Sequence, residues 1–270
     1  MNDLPVMDFK PPLHISHRGG AAIGPENTMP TLRRAVDEFQ TDVLELDVQQ
    51  TADGVLVIHH DPTLDRTTSG AGLLKEFTFD ELRRFDAGYH FSPDGGGSYP
   101  FRDQGYQVPT LEEVFETFPT VLFHIDIKQN DPPIEDAVIE MIRTRRLVSR
   151  VFLGSICEKI SKRICRKSLD IATYPARRGL WKLFILHNLH LLWLDRSSNA
   201  LVSIVPRMKS GRPVITPRFV RDIHRRGRKI FAFVVDDPLE QRQLLDYGVD
   251  GIMTDRPDVL RNTLDEWGNN

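Results

Sequence analysis

Strand-like and helix-like patterns alternate along almost the whole chain, and this alternation restricts the fold more than any other feature. Eight short runs are rich in β-branched and aromatic residues: 13–16, 43–48, 121–127, 151–153, 171–174, 201–205, 230–235 and 251–253. Longer amphipathic patterns lie between most of them, at residues 29–39, 111–118, 133–146, 157–167, 217–226 and 239–247. A strand, a helix and another strand in succession imply a crossover connection and parallel pairing. Eight such units within 270 residues fit a (β/α)8 barrel formed by one domain, residues 1–270, with a doubly wound open sheet as the competing arrangement. Asp53-Gly54 is a hairpin-turn dipeptide followed by the strand-like residues 55–59, so the second strand is expected to fold back on itself. Residues 62–107 are rich in Gly, Asp, Ser and Pro, are too long for an ordinary loop, and read as an insertion. Thr110 and Glu113 have capping-box spacing, which gives Glu113 a structural role.

Side chains two apart on a strand share a face. Glu45 and Asp47 therefore stand together late in the second strand, and Asp126 and Lys128 late in the third. His17 and Arg18 follow the first strand, and His60-Asp61 closes the hairpin after the second. All these groups fall at the C-terminal ends of strands one to three, which is the catalytic face of a barrel.

Their chemistry is coherent. Glu45, Asp47 and Asp126 are hard oxygen ligands that suit Mg2+ or Ca2+. Arg18 and Lys128 are cations able to hold phosphate oxygens. His17 and His60 exchange protons near neutral pH. A divalent ion, two cations and two imidazoles meet the needs of phosphodiester cleavage: the anion is neutralised, one oxygen is deprotonated to attack, and another is protonated to leave. Each element has a plainer alternative. Glu45 and Asp47 could be a rim charge pair, His17-Arg18 a turn or salt bridge, and Asp61 a cap on local backbone. Asp126 and Lys128 could simply neutralise each other.

The bulk properties narrow the setting. No run reaches the ~18 apolar residues of a membrane-spanning helix, and the acidic N-terminus has no signal-peptide pattern. Cys157 and Cys165, the only cysteines, suggest no disulfide framework and favour a reducing, cytoplasmic compartment. Residues 140–230 hold 22 Lys and Arg against 5 Asp and Glu, a local balance of +17 within a chain whose net charge is -3. Such asymmetry points to an anionic partner, or to two halves that neutralise each other. No P-loop, helix-turn-helix or RNA-binding signature is present, so nucleic acid is not expected.

At these residues the chain resembles the glycerophosphodiester phosphodiesterase family. The matching runs are His17-Arg-Gly-Gly, Pro25-Glu-Asn-Thr28, Leu44-Glu-Leu-Asp-Val-Gln49, Thr51-Ala-Asp-Gly-Val55, His60-Asp-Pro62, Val108-Pro-Thr-Leu-Glu-Glu-Val114, Ile125-Asp-Ile-Lys128 and Gly248-Val-Asp-Gly-Ile-Met-Thr-Asp-Arg-Pro257. They span nearly the whole chain in order. The resemblance implies a TIM barrel with an insertion after the second strand, matching residues 62–107. It implies that His17 and His60 are the acid/base pair, that Glu45, Asp47 and Asp126 bind a divalent metal, and that Arg18 and Lys128 contact phosphate. The implied substrates are glycerophosphodiesters, or lysophospholipids as in the lysophospholipase D-type branch, which shares the Ile-Asp-Ile-Lys pattern. Asp126 stands where many members carry Glu. Phe233-Val-Val-Asp236 replaces a common Trp-Thr-Val-Asn stretch, so Phe233 keeps an aromatic wall for the substrate without a ring N–H. A phospholipase D-like release of a cyclic phosphate, and a non-catalytic barrel that binds phospholipid headgroups, are the alternatives.

Residues 179–194 form the most apolar stretch, with Trp181 and Trp193 near its ends and Arg177-Arg178 before it. Its polar residues do not gather on one helical face. It reads either as a barrel helix packed inward or as an interfacial segment that dips into lipid while the basic region 140–230 faces anionic headgroups.

Overall fold

The β-branched runs pair into one sheet in the computed structural model, which describes residues 4–269. The strands are β1 (Leu13–Ser16), β2 (Val43–Gln50), β3 (Leu56–Ile58), β4 (Leu122–Ile127), β5 (Val151–Gly154), β6 (Ala172–Thr173), β7 (Leu201–Ile204), β8 (Lys229–Ala232) and β9 (Gly251–Thr254). Their order is β6-β5-β4-β2-β1-β9-β8-β7, and every pairing along this path is parallel. The result is a nearly closed barrel of eight parallel strands. β3 lies off the path and pairs antiparallel with β2, Val48 opposite Ile58, as the Asp53-Gly54 turn predicts. The seam falls between β6 and β7, where no ladder forms. The Ala200 N–H donates to the Thr173 carbonyl at 3.1 Å across it.

Helices α1 (Met29–Asp37), α2 (Phe79–Leu82), α3 (Leu111–Thr117), α4 (Glu135–Thr144), α5 (Glu158–Lys167), α6 (Arg177–Asn188), α7 (Pro217–His224), α8 (Pro238–Asp246) and α9 (Pro257–Gly268) fill the connections. Their starts follow local chemistry. Thr110 caps α3 and makes the expected reciprocal box with Glu113. Thr78 and Glu81 form a second box on α2, and proline stands in the first turn of α1, α7, α8 and α9.

The barrel interior holds Ile15, Val43, Phe152, Leu201 and Phe231, all fully buried, with Phe9 closing one end edge-on to Phe152 at 6.1 Å. A side chain at Gly251 would strike the Phe231 ring, so glycine there makes room for the aromatic filling. Truncating Phe231 to Ala would cost about 3–5 kcal/mol through lost burial and the cavity left behind. Outside the barrel, one apolar cluster joins β2, β4 and β5 to α3, α4 and α5, and another joins β7, β8 and β9 to α6 through α9. The stretch 62–107 gathers Leu64, Leu74, Leu82 and Ala87 with Val57 and Val108 into a small apolar cluster of its own. Cys157 and Cys165 are unpaired, and among the described residues no helix is long and apolar enough to cross a membrane.

Candidate active site

The end of β1 turns sharply. Arg18, Gly19 and Gly20 all have left-handed backbones, with φ of 52°, 83° and 110°. Glycine adopts this at little cost, whereas Arg18 bears about 1 kcal/mol of strain. The turn is held by the Arg18 N–H, which donates to Glu45 Oε2 at 3.0 Å. It aims the His17 ring between two carboxylates. Nδ1 lies 2.7 Å from Asp255 Oδ1, and Nε2 lies 3.9 Å from Glu45 Oε2. Burial works against a charge on His17, but Glu45 and Asp255 outweigh it and raise its pKa above the ordinary imidazole value. Asp255 comes from just past β9, whose register sets Thr254 beside Ser16. Asp236 fixes that corner, accepting from Thr254 Oγ1 at 2.7 Å and from the Asp255 N–H at 2.8 Å.

His60 reaches the same rim by another route. The His59 N–H donates to the Asp47 carbonyl at 2.9 Å, tying the end of the hairpin to β2. His60 Nδ1 lies 2.6 Å from Asp61 Oδ1. The other Asp61 oxygen accepts from Arg66 Nε, and the remaining Arg66 nitrogens donate to both Glu26 oxygens at 2.7 and 2.8 Å. Burial pushes the Asp61 carboxyl up, but Arg66 and His60 outweigh it and hold its pKa below the usual range. Asp61 therefore does not cap local backbone with its side chain, the plainer alternative raised by its turn position: it spends both oxygens on His60 and Arg66.

Between the two imidazoles lies a buried charge cluster. β2 supplies Glu45 and Asp47, and the ladder places Asp47 opposite Asp126 on β4. Lys128 Nζ sits 2.9 Å from Asp47 Oδ1 and donates to Asp126 Oδ2 at 2.7 Å. Arg18 Nε lies 3.0 Å from Asp47 Oδ2, and its Nη1 donates to Glu26 Oε1 at 2.9 Å. Asn27 Nδ2 donates to Asp47 Oδ2 at 2.9 Å. Asp61, Arg66, Glu26, Arg18 and Asp47 thus form one chain of ion pairs from His60 to the centre of the cluster. The environment splits the carboxylates. Burial and the neighbouring Asp47 raise the Glu45 pKa; burial also favours neutral Asp47, but Lys128 and Arg18 pull it down. Burial raises Asp126 as well, chiefly opposed by Lys128.

Below the cluster, His124 shares the inward face of β4 with Asp126 and stacks on Tyr174, ring centroids 4.4 Å apart. Burial lowers its pKa to about 3, so it is neutral. Tyr174 donates its hydroxyl to the Ile125 carbonyl at 2.9 Å, and a side chain at Gly154 would collide with its ring.

The structure thus brings His17, Arg18, Glu45, Asp47, His60, Asp126 and Lys128 to one rim. Phe233 follows β8 on that rim, partly buried against the inner apolar cluster, and only its position associates it with the charged groups. The hard-oxygen donor set suits a divalent cation, and Asp126 Oδ1 is buried without a hydrogen-bond partner among the described residues, which leaves it free to ligate. Among the described residues no three such side chains already converge as a ligating group, because Lys128 stands between Asp47 and Asp126. The sequence reading assigned no role to Asp255, Asn27 or Arg66. Asp255 and Asn27 lie in runs that carry the family resemblance, and that was their only signal.

Comparison with known proteins agrees with this picture. A family model described as the glycerophosphoryl diester phosphodiesterase family matches residues 17–259. The chain is 32% identical to a glycerophosphodiester phosphodiesterase of Caldanaerobacter subterraneus subsp. tengcongensis, covering 95% of this chain and 99% of that one. It is 27% identical to a lysophospholipase D of Homo sapiens, over 93% of this chain and 85% of the relative. The solved structure of an Oleispira antarctica phosphodiesterase, in complex with the product sn-glycerol-3-phosphate, aligns with a TM-score of 0.71 at 25% identity, covering 94% of this chain and 97% of that one.

Proposed function

The chain belongs to the glycerophosphoryl diester phosphodiesterase family and is a phosphoric diester hydrolase, and from that premise we propose that it cleaves glycerophosphodiesters, or lysophospholipids, with His17 and His60 as its acid and base. The observation that carries this reading is the pairing of each imidazole with a carboxylate through Nδ1, on either side of one charge cluster.

With Asp255 and Asp61 each accepting the Nδ1 proton, Nε2 is the working nitrogen of both rings. Arg18 and Lys128 bind phosphate oxygens, already fixed by Asp47, Glu26 and Asp126. A water attacks phosphorus directly, or a glycerol hydroxyl attacks first to form a cyclic phosphate that a water then opens. In the step that expels the alcohol, one imidazole accepts the attacker's proton and the other donates a proton to the departing alcohol; in the ring-opening step their roles reverse. The products are glycerol 3-phosphate, or lysophosphatidic acid from a lysophospholipid, plus an alcohol. Glu45, Asp47 and Asp126 would hold a divalent cation, Mg2+ or Ca2+, which would offset phosphate charge and acidify an attacking hydroxyl. Phe233 walls the alcohol side of the rim. The two unpaired cysteines suit a reducing cytoplasm, and a lysophospholipid substrate places the enzyme at a membrane surface.

The test is hydrolysis of glycerophosphocholine and lysophosphatidylcholine with Mg2+, with Ca2+ and with chelator, the products read by phosphorus NMR. Glycerol 3-phosphate and lysophosphatidic acid are expected, and activity should stop on chelation. Activity that survives chelation would remove the metal from the reading. Full activity in His17→Ala would remove the two-imidazole chemistry, and a stable cyclic phosphate would replace hydrolysis with transphosphatidylation.

A further inference from the structure

The barrel wall farthest from β1 and β2 carries a surface that the reaction does not use. β6 and β7 are the two ends of the strand order and β1 and β2 lie at its middle, so the seam faces β1 and β2 across the barrel. α6 bridges that seam. Its inner face is ordinary: Leu183 and His187 are buried, Phe184 packs on the outer cluster, and His187 Nδ1 bonds Asp222 at 2.9 Å. Its outer face is not. Trp181 is 51% exposed, Ile185 52% and Leu189 60%, a spacing of four that forms one stripe. Trp193, 65% exposed, follows in the next turn. The solvent face of a surface helix is normally polar.

Cations surround this stripe. Arg177 and Arg178 open α6, Arg196 follows it, and Lys209 and Arg212 lie in the turn after β7. Arg212 lies 5.7 Å from the Phe184 ring, which sets that turn directly beside the helix. All five are exposed, and among the described residues none of their side chains forms an ion pair, although the Arg178 backbone N–H donates to Glu158 Oε1 at 2.5 Å. The nearby acids are already engaged: Asp195 with Lys182 and Arg228, and Asp222 with His187 and Arg218. A second copy docking here by two-fold symmetry would set two basic regions against each other. An anionic lipid surface accepts both features, apolar side chains below the headgroups and cations among them.

We propose that the outer face of α6, with Trp181, Ile185, Leu189 and Trp193, docks the protein on anionic membrane surfaces, guided by Arg177, Arg178 and Arg212. The substrate class in this inference rests on the phosphodiesterase reading; the surface itself does not. α6 starts at the C-terminal end of β6, on the same rim as the charge cluster. A lipid lifted from the bilayer beside the start of α6 would therefore enter on the rim that carries the charge cluster.

The experiment is co-sedimentation with phosphatidylglycerol-rich vesicles and with pure phosphatidylcholine vesicles, at low and high salt. Expected are binding to the anionic vesicles at low salt, at least about tenfold weaker partitioning at high salt, and a blue shift of tryptophan fluorescence on binding. Trp181→Glu with Ile185→Glu should lose at least about tenfold in partitioning while its hydrolysis of dissolved glycerophosphocholine stays at the wild-type rate, which also reports a folded barrel. Arg177→Gln with Arg178→Gln should weaken binding and flatten its salt dependence. No binding to anionic vesicles at low salt, or unchanged binding of the glutamate variant, overturns the proposal. So does a concentration-dependent dimer that the same variant dissociates, since that would make a second copy the occupant. Failure of the wild-type protein to hydrolyse glycerophosphocholine would instead count against the phosphodiesterase reading and leave the vesicle result standing.

Discussion

His17 with Asp255 and His60 with Asp61 are the same chemical unit, built in two different ways. The first pair joins residues 238 apart in the chain at 2.7 Å. It exists because β9 lies beside β1 and Asp236 fixes the corner beyond it. The His17 side chain is 17% exposed and stands between two carboxylates. The second pair joins neighbours in the chain, and the His60 side chain is 31% exposed. Its carboxylate is shared with Arg66, which ties it through Glu26 to Arg18. One pair is thus braced by closure of the barrel and the other by a chain of ion pairs over its surface. Precision at a rim can come from either source, but the two fail differently when they are cut.

Removing the imidazoles is the largest perturbation. His17→Ala and His60→Ala should each lower kcat by about 10^2- to 10^4-fold, and the double variant should be little worse than the weaker single, since the two act as a unit. Steady-state kinetics on glycerophosphocholine measure this, and a loss confined to one histidine would break the equivalence. Removing the carboxylates sharpens the comparison. Asp255→Asn forfeits a charge-assisted hydrogen bond of about 1.5–3 kcal/mol, roughly ten- to a hundredfold in kcat, with KM little changed. Asp61→Asn should lower kcat and also raise KM, because slack passes through Arg66 and Glu26 to Arg18, the phosphate ligand of the proposed reaction. Equal kcat and KM effects for the two variants would remove the distinction. Asp255→Glu should recover part of the kcat loss if orientation of the ring is what matters.

Arg66→Ala is a smaller cut. Arg66 is about half exposed, so its pairs are screened, and urea unfolding should register about 1 kcal/mol or less. The smallest effect is on pH dependence in the presence of chelator. The folded-state pKa of His17 is raised, so its contribution is complete below the ordinary value of 6.5 and is lost as pH rises through the raised value. That of Asp61 is lowered, so its contribution is present above the ordinary 3.8 and is lost as pH falls through the lowered value. Thermal melts should therefore show His17→Gln flattening a decline on the alkaline side and Asp61→Asn flattening one on the acid side.

Much of the fold could be read before any coordinates, because strand and helix periodicities are local. All eight barrel strands and the Asp53-Gly54 hairpin lie where the residue pattern places them. α6 is harder to read, since its outer stripe of Trp181, Ile185 and Leu189 erases the polar face that marks an amphipathic helix. β6 has only two residues, Ala172 and Thr173, because the ladder stops at the seam. The site divides along the same line. Glu45 with Asp47, and Asp126 with Lys128, share a face through the two-residue strand period, so their adjacency is legible. The bridging of Asp47 and Asp126 by Lys128 is not, because it depends on the register between β2 and β4.

The sequence by itself determined the parallel alternation, the hairpin after the second strand, and the rim on which the charged groups of the first three strands fall. All of these depend on residues a few positions apart. Only the tertiary structure decided that Asp255 would hold His17, that Arg66 and Glu26 would tie His60 to Arg18, and that α6 would turn a tryptophan stripe outward. Those contacts arise when the sheet curls until β9 meets β1, and pairing across a closing barrel is set by register and packing summed over the whole sheet, which no short stretch encodes.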